Sequence, residues 1–174
     1  MKTIQSFVDW IFAPPSQRAY VWLPLTIVVF DVVYGITLAS FKTSFDIGTT
    51  DLPRPHLVPI ASLAFVYTVL YISLVEELIF RIIPLIILLK TVRSRIVTIA
   101  ALLALSVVFG LEHHGWESIP AQGLSGLLYS IVFIKYSEHG TKLLQPSLIV
   151  ILMHTIFNAT VSILYVVVNG GTMF

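Results

Sequence analysis

Apolar positions run through this chain in long blocks, broken at a few polar intervals. Residues 1 to 13 differ. There Ile4, Phe7, Val8, Ile11 and Phe12 are interleaved with Lys2, Gln5, Ser6 and Asp9. That spacing predicts a short amphipathic helix lying in a membrane interface, ended by Pro14-Pro15. The first block runs from about Tyr20 to Ser40 and opens on Tyr20 and Trp22, as aromatic anchors do at a membrane boundary. Residues 41 to 57 hold Asp46, Gly48, Asp51, Pro53 and Pro55 and read as a loop. Val58 to Leu89 is apolar apart from Glu76, Glu77 and Arg81. It is too long for one upright crossing and predicts one tilted or kinked helix, with Pro84 as the kink. Ile96 to Leu111, about Ile119 to Ile134 and about Pro146 to Val168 are three further blocks. Gly123 and Gly126 in the fourth carry no weight as a small-residue motif.

Composition turns these blocks into membrane spans. The 174 residues are 57% hydrophobic and 11% charged, with a mean hydropathy of +0.94. A soluble domain carries about 25% charged residues. The absence of cysteine excludes a disulfide scaffold. The apolar content excludes a disordered chain, and a net charge of +1 without a dense basic run argues against nucleic acid as a partner. No cleavable signal peptide is read at the start. The expected fold is all-α: a polytopic transmembrane helical bundle of about five spans. It forms a single membrane-embedded domain over 1–174, with 1–16 as the interfacial helix and no length left for a soluble domain. Its expected partner is the lipid bilayer. With a cytoplasmic N-terminus, Lys2, Arg18, Lys90, Arg93, Arg95, Lys135 and Lys142 lie inside, and only Lys42 and Arg54 outside. The expectation is a multi-pass protein of the inner or plasma membrane, N-terminus in and C-terminus out.

Ionisable residues inside spans are costly, so each needs a partner or a task. They gather at Glu76, Glu77 and Arg81, at His113 beyond Phe109, and at His154 with Asn158. Counted from the basic loops, these sites stand roughly 12 to 27 Å into the membrane, depths at which they can meet if the helices tilt. Glu77 and Arg81 are four residues apart in the favourable order for an ion pair. Glu76 points about 100° away, free to face a cavity. His154 and Asn158 project from one face and offer hydrogen-bond donors to a developing oxyanion. A carboxylate, an imidazole that holds a water and a donor pair suit amide hydrolysis without a covalent intermediate.

Three motifs follow from the same residues: EExxxR in Glu76 to Arg81, FxxxH in Phe109 to His113, and HxxxN in His154 to Asn158. In this order on apolar segments they resemble the CPBP (CAAX protease and bacteriocin-processing, Abi) family of intramembrane glutamate endopeptidases, which includes type II CAAX prenyl endopeptidases. The resemblance covers about residues 60 to 165, with 58–165 as the catalytic core. It implies a membrane-embedded helical bundle and a hydrolase of peptide bonds acting on a membrane-associated protein or peptide, and the small size of the chain points to a prokaryotic protein. It implies Glu76 as general base, His113 as its helper on the water, and His154 with Asn158 as the oxyanion site. Glu77 and Arg81 are then a positioning pair, and no cofactor is required. His114 beside His113 is a departure, and the motif spacing selects His113. The implied substrate is a leader peptide, a C-terminal sorting tail or a CAAX-like end.

Other readings compete. Zinc held by Glu76, His113 and His154 would make a metal-dependent membrane protease, although HExxH is absent. A non-enzymatic binding or immunity protein, or a proton-coupled carrier, would use the same polar core; the absence of a clear inverted repeat argues against a carrier. Asp31 reads as structural, pairing with Arg81 or facing a water pocket. His56 and His139 fall in loops, and the aromatic residues read mostly as lipid-facing or interfacial.

Overall fold

The computed structural model describes residues 2–44, 63–138 and 140–168. All regular structure among them is helical. In chain order the elements are α1 (Lys2–Phe12), α2 (Ala19–Ser44), α3 (Leu63–Glu77), α4 (Ile83–Thr91), α5 (Arg95–His114), α6 (Leu124–Tyr136) and α7 (Leu144–Val168). A π-helical segment, Leu78–Ile82, joins α3 to α4 without a break. A 3-10 turn, Gly115–Ser118, and a second π segment, Ile119–Gly123, lead from α5 into α6. His56, His139, Arg54 and the loop from residue 45 onward lie outside the described residues, as does the side chain of His114. Residues 41–44, expected in that loop, continue α2.

Among the described residues three helices are long and apolar enough to cross a membrane: Ala19–Leu38, Arg95–His113 and Leu144–Leu164. The protein is thus an integral, multi-pass membrane protein. Large apolar side chains such as Val21, Trp22, Leu25, Val29, Phe30, Ile96, Leu103, Leu148 and Leu152 point outward, a surface that water would not tolerate. The aromatic residues divide in two. Trp22, Phe30, Tyr67 and Trp116 are exposed, whereas Phe65, Phe109, Tyr129, Phe133, Tyr136 and Phe157 are buried.

The irregular turn in the second apolar block, the π segment, precedes Pro84. Pro84 sits in the first turn of α4, where a missing N–H is harmless. Its ring would clash with the carbonyl four residues back, that of Phe80. Phe80 falls in the π segment, where Ile83 N–H reaches five residues back to the Leu78 carbonyl. The wider turn absorbs the clash, so the helix continues instead of ending.

α6 forms the centre. From Tyr129 to Tyr136 every residue is buried, which fits a helix apolar on all sides. It packs against α1, α2, α5 and α7. Glycine permits the tightest of these approaches. A Cβ on Gly110 of α5 would lie 2.8 Å from Ile119 Cα, and one on Gly123 would lie 3.0 Å from the Ser106 carbonyl oxygen. Gly123 therefore has a packing role that its spacing did not disclose.

α1 buries Val8, Ile11 and Phe12 against the bundle and exposes Ile4, Phe7 and Trp10. Lys135 of α6 donates to the carbonyls of Trp10 (2.7 Å) and Ala13 (3.0 Å), supplying donors at the helix's C-terminal end. Arg95 pairs with Asp9 at 2.7 Å. Tyr20 donates to Glu138 at 3.2 Å. These contacts bring α1, the link from α4 to α5 and the link from α6 to α7 to one end of the molecule.

Candidate active site

The three motif segments meet between α3, α5 and α7. Glu76 and Glu77 close α3, and Arg81 stands in the π segment that follows. Adjacent residues on a helix diverge by about 100°. The ring of His154, on α7, lies in the angle between the two carboxylates. Its Nδ1 is 2.8 Å from Glu77 Oε1, and its Nε2 is 3.4 Å from Glu76 Oε2. Glu76, which lacks the arginine its neighbour holds, thus faces imidazoles instead. The second is His113 of α5, whose Nε2 is 3.7 Å from the same Glu76 oxygen.

Partner chemistry fixes the tautomers. A carboxylate and a carbonyl oxygen only accept. His154 Nδ1 therefore donates to Glu77, and His113 Nδ1 donates to the Phe109 carbonyl at 2.8 Å. In each neutral ring the lone pair of Nε2 is then turned toward Glu76. Side-chain exposure divides the group. Glu76 (25%) and His113 (21%) are within reach of a small molecule, whereas His154 (4%) and Glu77 (0%) are enclosed.

Arg81 donates through Nη1 to Glu77 Oε1 and through Nε to the Gly126 carbonyl at 3.1 Å. Its guanidinium lies over the rings of Phe109 (4.5 Å) and Tyr129 (5.1 Å). Among the described residues, Glu77 Oε2 and Arg81 Nη2 are buried without a hydrogen-bond partner. Such atoms weaken a fold, so this pair is better matched to placing His154 than to stability. Phe109 also packs edge-on against His113, with ring centres 4.4 Å apart.

Asn158 stands one turn beyond His154, as the spacing requires, but its amide donates to Ser73 Oγ at 3.2 Å. Both side chains reach α3, each to a different partner. Asp31, considered as a partner of Arg81, instead accepts from Ser125 and Tyr129. Among the described residues no group of three or more His, Cys, Asp or Glu side chains has metal-holding geometry.

Three contributors were not anticipated. Ser73 lies one turn before Glu77 on α3, a signal available in retrospect. Tyr129 and Gly126 come from α6, where only the helix's register against Arg81 gives them meaning. A Cβ on Gly126 would lie 3.1 Å from Phe109 Cδ1 and 3.3 Å from Arg81 Nη2, so glycine lets Arg81 settle against α6.

The fold and this cluster define a multi-pass helical membrane protein with an ionisable site between its helices. A family model, Rce1-like (type II CAAX prenyl endopeptidase Rce1-like), matches residues 58–160. That is more than half of the chain, and the chain belongs to the Rce1-like family. Membership implies a CAAX-type intramembrane protease with a protein or peptide substrate. No curated protein and no solved structure matches the chain.

Proposed function

We propose that the protein is an intramembrane endopeptidase that hydrolyses a peptide bond of a membrane-associated substrate with water activated by Glu76. The observation that carries this reading is the convergence of two imidazole Nε2 atoms on one oxygen of the half-buried Glu76 carboxylate, at 3.4 and 3.7 Å. These separations suit a water among acceptors better than direct bonds.

A water there donates one hydrogen to Glu76 and the other to His113 Nε2. As its oxygen attacks the scissile carbonyl carbon, Glu76 takes a proton and His154 Nε2 receives it. The imidazolium is stabilised by Glu77, which is bonded to Nδ1 and itself held by Arg81. His154 Nε2–H and the second N–H of the Asn158 amide then face the oxyanion. The proton finally passes to the leaving nitrogen as the C–N bond breaks. Glu76, His113, His154 and Asn158 are the catalytic set; Glu77, Arg81 and Phe109 position it.

The rod from Leu63 to Thr91 is roughly 40 Å long at about 1.5 Å per residue, enough to cross a core of about 30 Å at a tilt. With it and the segment through α6, the three apolar helices make five crossings. The basic loops then place the N-terminus in the cytoplasm and the C-terminus outside. The single embedded domain carries its core over 58–165, with α1 in the interface. The substrate is a leader peptide, a C-terminal sorting tail or a CAAX-like end.

Glu76→Gln keeps the size of the side chain and removes the base. Cleavage of a reporter substrate should fall by at least about 10²-fold, with an unchanged melting temperature in detergent. Full activity in the folded variant would exclude Glu76 as the base.

A further inference from the structure

Asp31 is a carboxylate in the middle of α2, 2% exposed, and it lies outside the stretch that matches the family. Ser125 Oγ donates to its Oδ1 at 2.5 Å, and Tyr129 Oη donates to its Oδ2 at 2.7 Å. Ser125 and Tyr129 are one turn apart on α6, so the carboxylate is clamped by both oxygens at once. An ionised carboxylate accepts both bonds; the one hydroxyl hydrogen of Ser125 has the Ala121 carbonyl at 3.0 Å as its other acceptor, whereas Asp31 is the acceptor for Tyr129 Oη. In return it fixes the height and tilt of the Tyr129 ring. That ring covers the Arg81 guanidinium at 5.1 Å and stands 6.0 Å from the ring of His154. Arg81 also lies 4.5 Å from the centre of the Phe109 ring. The guanidinium thus touches two rings, and of these the Tyr129 ring is tethered to a carboxylate.

We propose that Asp31 is a positioning residue for the hydrolytic site, acting through Tyr129 on Arg81 and so on Glu77 and the ring of His154. The chain of contacts runs from α2 through α6 and the π segment to α7. Burial of a charged group in a span needs a reason. Joining α2 to α6 is the simpler reason, and it differs from the proposed one in what it leaves undisturbed. A link between helices sets stability alone, whereas a positioning chain also sets the state of His154. For turnover the inference rests on the protease reading; for the geometry of His154 it does not.

The test uses the full chain in detergent or nanodiscs, with the variants Asp31→Asn, Tyr129→Phe, their double and Ser125→Ala. Turnover of a peptide reporter gives kcat and KM, and ¹⁵N-histidine labelling reads the His154 ring nitrogens. Asp31→Asn and Tyr129→Phe should each lower kcat about tenfold with KM within about twofold, and the double should be no worse than the worse single, because both act along one chain. Ser125→Ala, which leaves the Tyr129 bond in place, should cost about twofold or less. The His154 ring signals should move in Asp31→Asn and in Tyr129→Phe. A wild-type kcat with unmoved His154 signals, and only a lower melting temperature, would overturn the proposal. So would two single effects that multiply in the double. If Asp31→Asn does not fold, Tyr129→Phe carries the test, since it keeps the ring and loses only the bond. If the wild-type protein shows no cleavage, the protease reading has failed, and the His154 signals still decide the role of Asp31.

Discussion

Two acid–base pairs of the same build, four residues apart on the chain, sit in opposite surroundings. Glu77 and Arg81 are 0% and 2% exposed at the centre of the bundle; Glu138 and Lys142 are 31% and 52% exposed at one end, 2.6 Å apart. Water screens the second pair and offers each partner an alternative. The first pair has no such alternative, and each member even keeps one unpaired atom. The two pairs share a four-residue spacing, although the second lies in the link between α6 and α7 rather than on a helix. Only burial shows that one is an incidental surface contact and the other holds an imidazole in place.

Removing one partner tests this contrast most severely. Arg81→Met should destabilise the protein by about 3–5 kcal/mol, because Glu77 would be left as an uncompensated buried charge. Denaturant unfolding in detergent measures it, and a loss below about 1 kcal/mol would put the buried pair on a par with an exposed one. Gly126→Ala leaves both charges but pushes a methyl group against Phe109 and Arg81. It should cost about 1–3 kcal/mol and lower activity with it, and an unchanged melting temperature would show that the guanidinium can give way.

Lys142→Gln should produce the smallest effect, with no resolvable change in melting temperature. The hydrogen bond from Lys142 holds the Glu138 carboxyl below its usual range. The folded value is depressed, so the contribution is present above the ordinary glutamate value of about 4.3 and fades as pH falls through the lower folded one. Lys142 itself is raised by the same bond, so its share is present below about 10.4 and fades as pH rises through the folded value. Any difference between the melting curves of wild type and Lys142→Gln should be confined to the interval between the two values and vanish below the glutamate range and above the lysine range; a difference that persists outside that interval would overturn the assignment.

The motif residues were legible because their chemistry is set within one helix turn. EExxxR, FxxxH and HxxxN each place their polar ends on one face whatever the helix packs against. The grouping of Glu76 with His113 and His154 was legible from depth, and the structure brings all three together. What spacing within a helix leaves open is register between helices. It offered no means to see that the Asn158 amide meets Ser73, or that the Arg81 guanidinium meets the Gly126 carbonyl. Gly123 and Gly126 were discounted because their interval matched no motif. Their use depends on two separate neighbours, α5 for one and the Arg81 side chain for the other. Pro84 was assigned the kink because proline breaks hydrogen bonds. The bond it removes would have gone to the Phe80 carbonyl, and Phe80 lies in the π segment, where the helix is widened. α6 read as an ordinary crossing, although its 13 residues follow two irregular turns.

That last feature bears on biogenesis. An α-helix of 13 residues is about 20 Å long, against about 30 Å of hydrocarbon. α6 also carries Ser125, Ser130 and Lys135, all enclosed by its neighbours in the finished bundle. Alone in lipid, such a segment is a poor candidate for stable insertion, whereas α5 and α7 have the length and apolarity to enter unaided. The proposed catalytic set would therefore be divided during synthesis: Glu76 and His113 would reach the membrane before α6 has a stable place, and His154 after it. A nascent chain stopped at Tyr136 should leave α6 open to water-soluble cysteine labels at introduced sites, and extension through α7 should close it. The enzyme would then be inert until its last helix is in place, a safeguard against premature cleavage during its own assembly.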